Sequence, residues 1–145
     1  MGTNINVHAL LLSDGRLFHS IMPGTDGQSC KDFVEHHINH IRDFTIVHDG
    51  LPSNKMHAMQ EKWRSKGAKT LCLPPSSCAL SSVETVFAII KEKFRKWVNC
   101  SIPITQALAE AEIPKLFDTL TRSQCRKICT SVLPIYHQVM QGHPV

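Results

Sequence analysis

Two acids stand where chemistry can be done. Asp49 closes the short apolar run Thr45-Ile46-Val47-His48. Glu84 follows the loop Pro74-Pro75-Ser76-Ser77-Cys78-Ala79-Leu80-Ser81-Ser82, just inside the next helical pattern. In open α/β sheets, ligands and reacting groups gather at the carboxyl ends of strands. A carboxylate at a strand mouth and another at a helix start can therefore face one sheet edge. Each acid also has a plain structural use. Asp-Gly is a turn dipeptide, and Ser81-x-x-Glu84 ahead of an apolar run has the form of a capping box. The residues alone leave both roles open.

Other constellations are less specific. His36 and His40 are four apart, as are Cys125 and Cys129, a spacing that sets two zinc ligands on one helix face. No tight Cys-x-x-Cys pair or glutamate-bearing zinc helix accompanies them, so a zinc-stabilised helical domain is the weakest reading. His37 falls on an apolar stripe and reads as core. Lys91, Lys93, Arg95 and Lys96 lie along the helix that carries Glu84, and Arg122, Arg126 and Lys127 lie on the last helix. Such rows form either a solvated face or a surface that neutralises DNA phosphates. Trp63, Phe87 and Trp97 fall on apolar stripes and read as packing residues rather than stacking platforms.

The elements that must position these groups follow from periodicity. Residues 5–12 alternate as a strand, Asp14-Gly15 supplies a hairpin turn, and Leu17 to Met22 returns. Phe33, Val34, His37, Ile38 and Ile41 give an amphipathic helix. Phe44 to His48 is a short buried strand, with a central place in the sheet and a parallel neighbour reached through a helical crossover. A helix from about Ser53 to Lys66 presents Met56, Met59 and Trp63, and Gly67 ends it. Lys69 to Leu73 is a strand stopped by Pro74-Pro75. Val83, Val86, Phe87, Ile90, Phe94 and Trp97 stripe a long helix. Helical stretches near Ile104–Ala111 and Thr121–Gln138 complete the chain, the second broken at Pro134. This order describes one α/β layered domain, residues 101–145 forming a helical carboxyl-terminal extension.

Bulk properties set limits. At 145 residues, 42% hydrophobic and 19% charged, the chain suits a single cored domain and not a disordered one. A net charge of +4 permits a nucleic-acid partner without diagnosing one. Six cysteines without framework spacing, and no signal-peptide pattern, predict reduced thiols in a nuclear or cytoplasmic protein. No apolar run approaches membrane-span length, and no small-molecule substrate is expected.

From Thr45 to Lys96 the chain resembles the catalytic core of mariner-type DDE transposases, of the integrase and RNase H-like fold. In that family a short apolar strand ends in the second catalytic aspartate, and Asp49 and Pro52 keep the aspartate and a following proline. The family's next landmark is proline-proline-tyrosine-serine-proline-aspartate-leucine-asparagine-proline-isoleucine-glutamate. Residues Pro74 to Glu84 align with it without a gap, keeping both prolines, Ser77, Leu80, an aliphatic Val83 and Glu84. Phe87 and Lys91 stand where the family has an aromatic residue and a lysine. The 34 residues between Asp49 and Glu84 match this group's spacing. The hairpin and first helix fit its order as well, extending the resemblance to roughly residues 2–140.

The resemblance implies a mixed RNase H-like sheet flanked by helices, with Asp49 and Glu84 as Mg²⁺ ligands for DNA strand cleavage and strand transfer. It implies DNA as partner, held mostly by phosphate contacts from Lys91, Lys93, Arg95 and Lys96, and it is compatible with a homodimer. A protein of this kind works in the nucleus of a eukaryote, or otherwise in the cytoplasm. The family's first aspartate belongs to a strand preceding residues 4–13, which this sequence does not include. Asp14, at the far tip of the hairpin, is not expected to replace it. Gly50, Asn54, Ser76, Cys78, Ala79, Ser81 and Ser82 depart from the family pattern. The expectation is a truncated or repurposed domain, inactive as this isolated chain. The alternative is a domesticated, non-catalytic DNA- or protein-binding module.

Overall fold

The chain opens with a hairpin whose two faces are both used. In the computed structural model, which describes residues 4–22, 24, 27–38, 42–49, 53–100 and 103–142 (side chains of 27, 53–56 and 78 excepted), β1 (Asn6–Leu11) pairs antiparallel with β2 (Leu17–Met22). The turn follows the expected Asp-Gly chemistry. Gly15 takes φ +93°, where an L side chain is disfavoured, and the Asp14 carboxylate accepts from Arg16 N–H at 3.0 Å. Alternation sends Leu10, Phe18 and Met22 to one side, and Val7, Ala9, Leu11 and Leu17 to the other.

Each side has its own helices. α1 (Gly27–His37) and α2 (Ser53–Ser65) bury Phe33, Val34, Met59 and Trp63 against the first face. Lys66 ties the pair together through Glu35 at 2.7 Å, an ion pair that holds the Glu35 carboxyl below its usual range. On the second face α3 (Ser82–Cys100) and α4 (Gln106–Asp118) bury Val86, Ile90, Ile113, Leu116 and Phe117. α5 (Arg122–Ser131) and α6 (Leu133–Met140) follow, and the chain breaks at Val132 so that Pro134 falls in the first turn of α6, where its missing N–H is harmless.

β3 (Thr45–His48) and β4 (Lys69–Cys72) form a parallel pair joined through α2, as the order of elements predicts. Gly67 ends α2 as expected. Its φ is +89°, with Gly67 N–H bonded to Arg64 C=O and Ala68 N–H to Trp63 C=O, a Schellman arrangement. The fold is therefore mixed α/β. Among the described residues, however, its four strands form two separate two-stranded ladders rather than one continuous sheet.

The ladders are set side by side. One cavity of about 570 Å³ is lined by Ala9 to Ser13 of the hairpin and by Asp43 to Val47, and by no residue of β2 or β4. The end of β1 and the segment from Asp43 into β3 thus border one cavity.

Two expectations shift. α4 runs to Asp118 rather than stopping near Ala111, passing through Pro114. An interior proline costs a helix about 3 kcal/mol. Burying Ile113, Leu116 and Phe117 returns roughly 1.5–3 kcal/mol each, which outweighs it. α1 begins at Gly27, earlier than its apolar stripe suggests, with Gln28 donating to Asp32 at 2.7 Å in its first turns. Ile41, His40, Gly50 and Pro52 lie outside the described residues.

His37 sits between Phe18 and Phe33, with ring centroids 5.0 and 4.7 Å away, and its buried Nε2 has no partner among the described residues. Desolvation, then the charges of His36 and His19, lowers its pKa below the ordinary value of 6.5. The unfolded chain then takes up this proton at a higher pH than the folded chain. His37 accordingly lowers stability as pH falls through 6.5 towards the folded pKa, and has no such effect above it. Denaturant midpoints at pH 7.5 and 5.0 check this. His37→Phe should lose less stability on acidification than the parent, and equal losses would contradict the assignment.

Candidate functional site

Asp49 is the residue immediately after β3, exposed at the carboxyl end of that strand. The residue before it is braced. His48 meets the Trp63 ring edge-on at 5.8 Å, its Nδ1 bonds to the Asp49 backbone carbonyl at 2.8 Å, and its Nε2 pairs with Gln60 Nε2 at 3.2 Å. Sequence reading treated His48 only as the end of a strand. Its bond to Gln60 and its ring contact with Trp63, both of α2, fix it at the strand mouth.

Glu84 occupies the first turn of α3 and is half-buried. It lines an apolar groove of about 480 Å³ with Ile5, Val7, Phe87, Lys91 and Arg95. The capping-box alternative is not formed among the described residues. α3 opens instead with a backbone bond from Glu84 N–H to Ser81 C=O at 3.2 Å, and the glutamate side chain reaches no cap. Among the described residues neither the Asp49 nor the Glu84 carboxylate meets a cation or a hydrogen-bond donor, and neither bonds the other.

The basic residues divide. Lys93 donates to Thr119 Oγ1 and Lys96 pairs with Glu92 at 3.2 Å, so both are partly engaged within the fold. Lys91 and Arg95 are exposed and, among the described residues, unpaired. They lie on the same stripe of α3 as Glu84, as spacings of seven and eleven residues require. Arg122 and Arg126 are drawn to the hairpin turn, donating to the Asp14 backbone carbonyl at 3.1 and 3.4 Å. Asp14 also pairs with Arg16 at 2.7 Å, and these bonds, the Arg16 backbone N–H foremost, hold its carboxyl below the usual range. Asp14 is a turn residue with its charge engaged.

The zinc candidates do not assemble among the described residues. His40 lies outside them, His36 is exposed, Cys125 is buried, and the Cys129 thiol donates to Leu12 C=O at 3.2 Å. No group of three or more His, Cys, Asp or Glu side chains comes together among the described residues. Among the described residues Cys30, Cys72, Cys100, Cys125 and Cys129 form no disulfide. Phe94 and Trp97 pack on each other at 5.5 Å, and Phe87 meets Phe117 edge-on at 6.2 Å, as packing residues would. No described helix is long and apolar enough to cross a membrane. No protein-family model matches the chain, and no curated protein matches it.

Proposed function

We propose that this chain is a piece of a mariner-type DDE transposase catalytic core with an RNase H-like fold. In this reading Asp49 and Glu84 are two of its acidic metal ligands, and Lys91 and Arg95 lead a face that follows the DNA backbone. The observation that supports the proposal is a pair of carboxylates uncommitted among the described residues, Asp49 leaving the carboxyl end of β3 and Glu84 in the first turn of α3. An antiparallel hairpin and a parallel pair that border one cavity also accord with an RNase H-like sheet.

Mg²⁺ fits this donor set. It takes hard oxygen ligands, and both side chains offer carboxylates free of competing cations among the described residues. When bound in such a site, Mg²⁺ polarises the phosphodiester and activates the attacking oxygen. The chain's own contribution is to hold Asp49 on a strand braced by His48 and Glu84 on a helix start, and to offer cations for phosphates. Phosphate contacts of this kind are sequence-tolerant and weaken steeply with salt.

A second reading, a domesticated module that binds without cutting, is favoured by one observation. The described residues bring no third acid to the pair. Mg²⁺ wants near-octahedral coordination and parts with water reluctantly, so two carboxylates hold it loosely. The assay is supercoiled-plasmid nicking with Mg²⁺ or Mn²⁺, beside an Asp49→Ala, Glu84→Ala double variant. The expected result is no metal-dependent nicking by either protein. Nicking that the double variant abolishes would contradict inactivity and would mean that a third ligand is recruited.

A further inference from the structure

Lys31 is the one charged side chain that is buried among the described residues, with 9% exposure. It stands on α1 just before the core pair Phe33 and Val34. A buried ammonium needs close acceptors to offset the loss of water. The acids beside it are Asp32 at 4.0 Å and Glu35 at 3.8 Å, both beyond hydrogen-bond reach. Glu35 is already taken. Its Oε1 accepts from Lys66 at 2.7 Å, so one carboxylate serves two lysines and favours the other one.

A third lysine completes the cluster. Lys62, in the last turn of α2, shares a hydrogen bond with Lys31. An ammonium carries three donors and no acceptor, so a hydrogen bond between two lysine amines requires one of them to be neutral. Lys31 has two carboxylates within 4.0 Å to keep its proton. Lys62 is exposed and, among the described residues, has no acid within ion-pair distance. It is the one that yields. The Lys31 hydrogen bond and then the Lys31 charge hold the Lys62 amine below its ordinary value of 10.5; desolvation and Lys66 add to this, and Glu35 opposes it. A lysine at a helix carboxyl end is ordinarily favoured as a cation. Here the neighbouring lysines override the helix end.

We propose that Lys62 is a nucleophilic amine and a modification site, which takes an acyl group from a thioester. The nitrogen lone pair attacks the thioester carbonyl carbon, and the C–S bond breaks as the C–N bond of the amide forms. The proton leaving the nitrogen goes to the departing thiolate. The products are an amide and a thiol, and nothing is oxidised or reduced. Lysines set beside a second cation are activated as nucleophiles in this way. Access separates the two partners, since Lys62 is exposed and Lys31 is buried. Acylation also removes the charge that Lys31 faces, which favours the product. This inference stands on the lysine cluster and does not depend on Asp49, Glu84 or a transposase origin.

The probe is S-acetyl-N-acetylcysteamine, an uncharged thioester, so that attraction of an anionic donor to the lysines does not enter. The full chain is treated with limiting probe, and acetylation is followed lysine by lysine by mass spectrometry. Lys91 and Lys127, both exposed, are the comparison. Lys62 should be acetylated severalfold faster than either, with its rate profile displaced to lower pH, and the preference should vanish in urea. Two variants should move the rate in opposite directions. Lys31→Met removes the facing cation while filling its buried place, and should slow Lys62 towards the comparison lysines. Glu35→Gln removes the opposing carboxylate and should make Lys62 faster still. Acetylation of Lys62 no faster than that of Lys91 in the folded parent would overturn the proposal, and this result needs no variant to fold. A preference that survives urea, or a Glu35→Gln chain in which Lys62 slows, would overturn it as well.

Discussion

Trp63→Ala is expected to remove about 3–5 kcal/mol of stability, a large share of the roughly 5–15 kcal/mol that holds a domain of this kind together. Trp63 is 1% exposed and lies at the centre of the cluster formed by Phe33, Val34, Met59 and Ala68, with Ile46 of β3 packed against it. Truncation empties space that α1, α2 and β3 all border, and close-packed interiors collapse only partly into such voids. Trp63→Phe should behave differently. The indole Nε1 is buried with no partner among the described residues. An unsatisfied buried donor costs roughly 1–3 kcal/mol, so losing it offsets much of the smaller ring's lost contact. Urea midpoints of the three proteins provide the check. An alanine variant within about 1 kcal/mol of the parent would contradict this account of the core. The effect should also reach the candidate site, because the same ring braces His48 next to Asp49.

Much of this scaffold is legible in the sequence, for local reasons. Asp14-Gly15 dictates a turn and Gly67 a helix end because each demands a backbone geometry that few residues adopt. The parallel pairing of β3 with β4 follows from a helix lying between two short apolar runs. The extent of α4 is not legible, because Pro114 signals a stop locally while Phe117 gains its burial from α3 and β2, far away in sequence. The engagement of Lys93 with Thr119, and of Arg122 and Arg126 with Asp14, is hidden for the same reason. Ser81 and Glu84 have the form of a capping box without making one. The motif fixes only a spacing, whereas the two side chains remain free to point elsewhere.

The second large effect concerns the acids. Asp49 and Glu84 are carboxylates uncommitted among the described residues, and the proposed function requires them to hold one divalent ion between them. Ligands that share an ion are strongly interdependent. Supporting residues around a metal site alone change affinity by about 10–100-fold, and losing a direct ligand should cost at least as much. Asp49→Ala and Glu84→Ala should therefore each abolish detectable Mn²⁺ binding at the pair, with little change in stability, because Asp49 is exposed and neither carboxylate pairs with a described residue. The most direct measurement is paramagnetic line broadening, following backbone amide resonances of the full chain during a Mn²⁺ titration. The shared-ion account predicts that the Asp49 and Glu84 amides broaden together at the same low Mn²⁺ concentration, and that either single alanine variant removes the broadening at both. Broadening at only one of the two, or at Glu84 unchanged by Asp49→Ala, would contradict it.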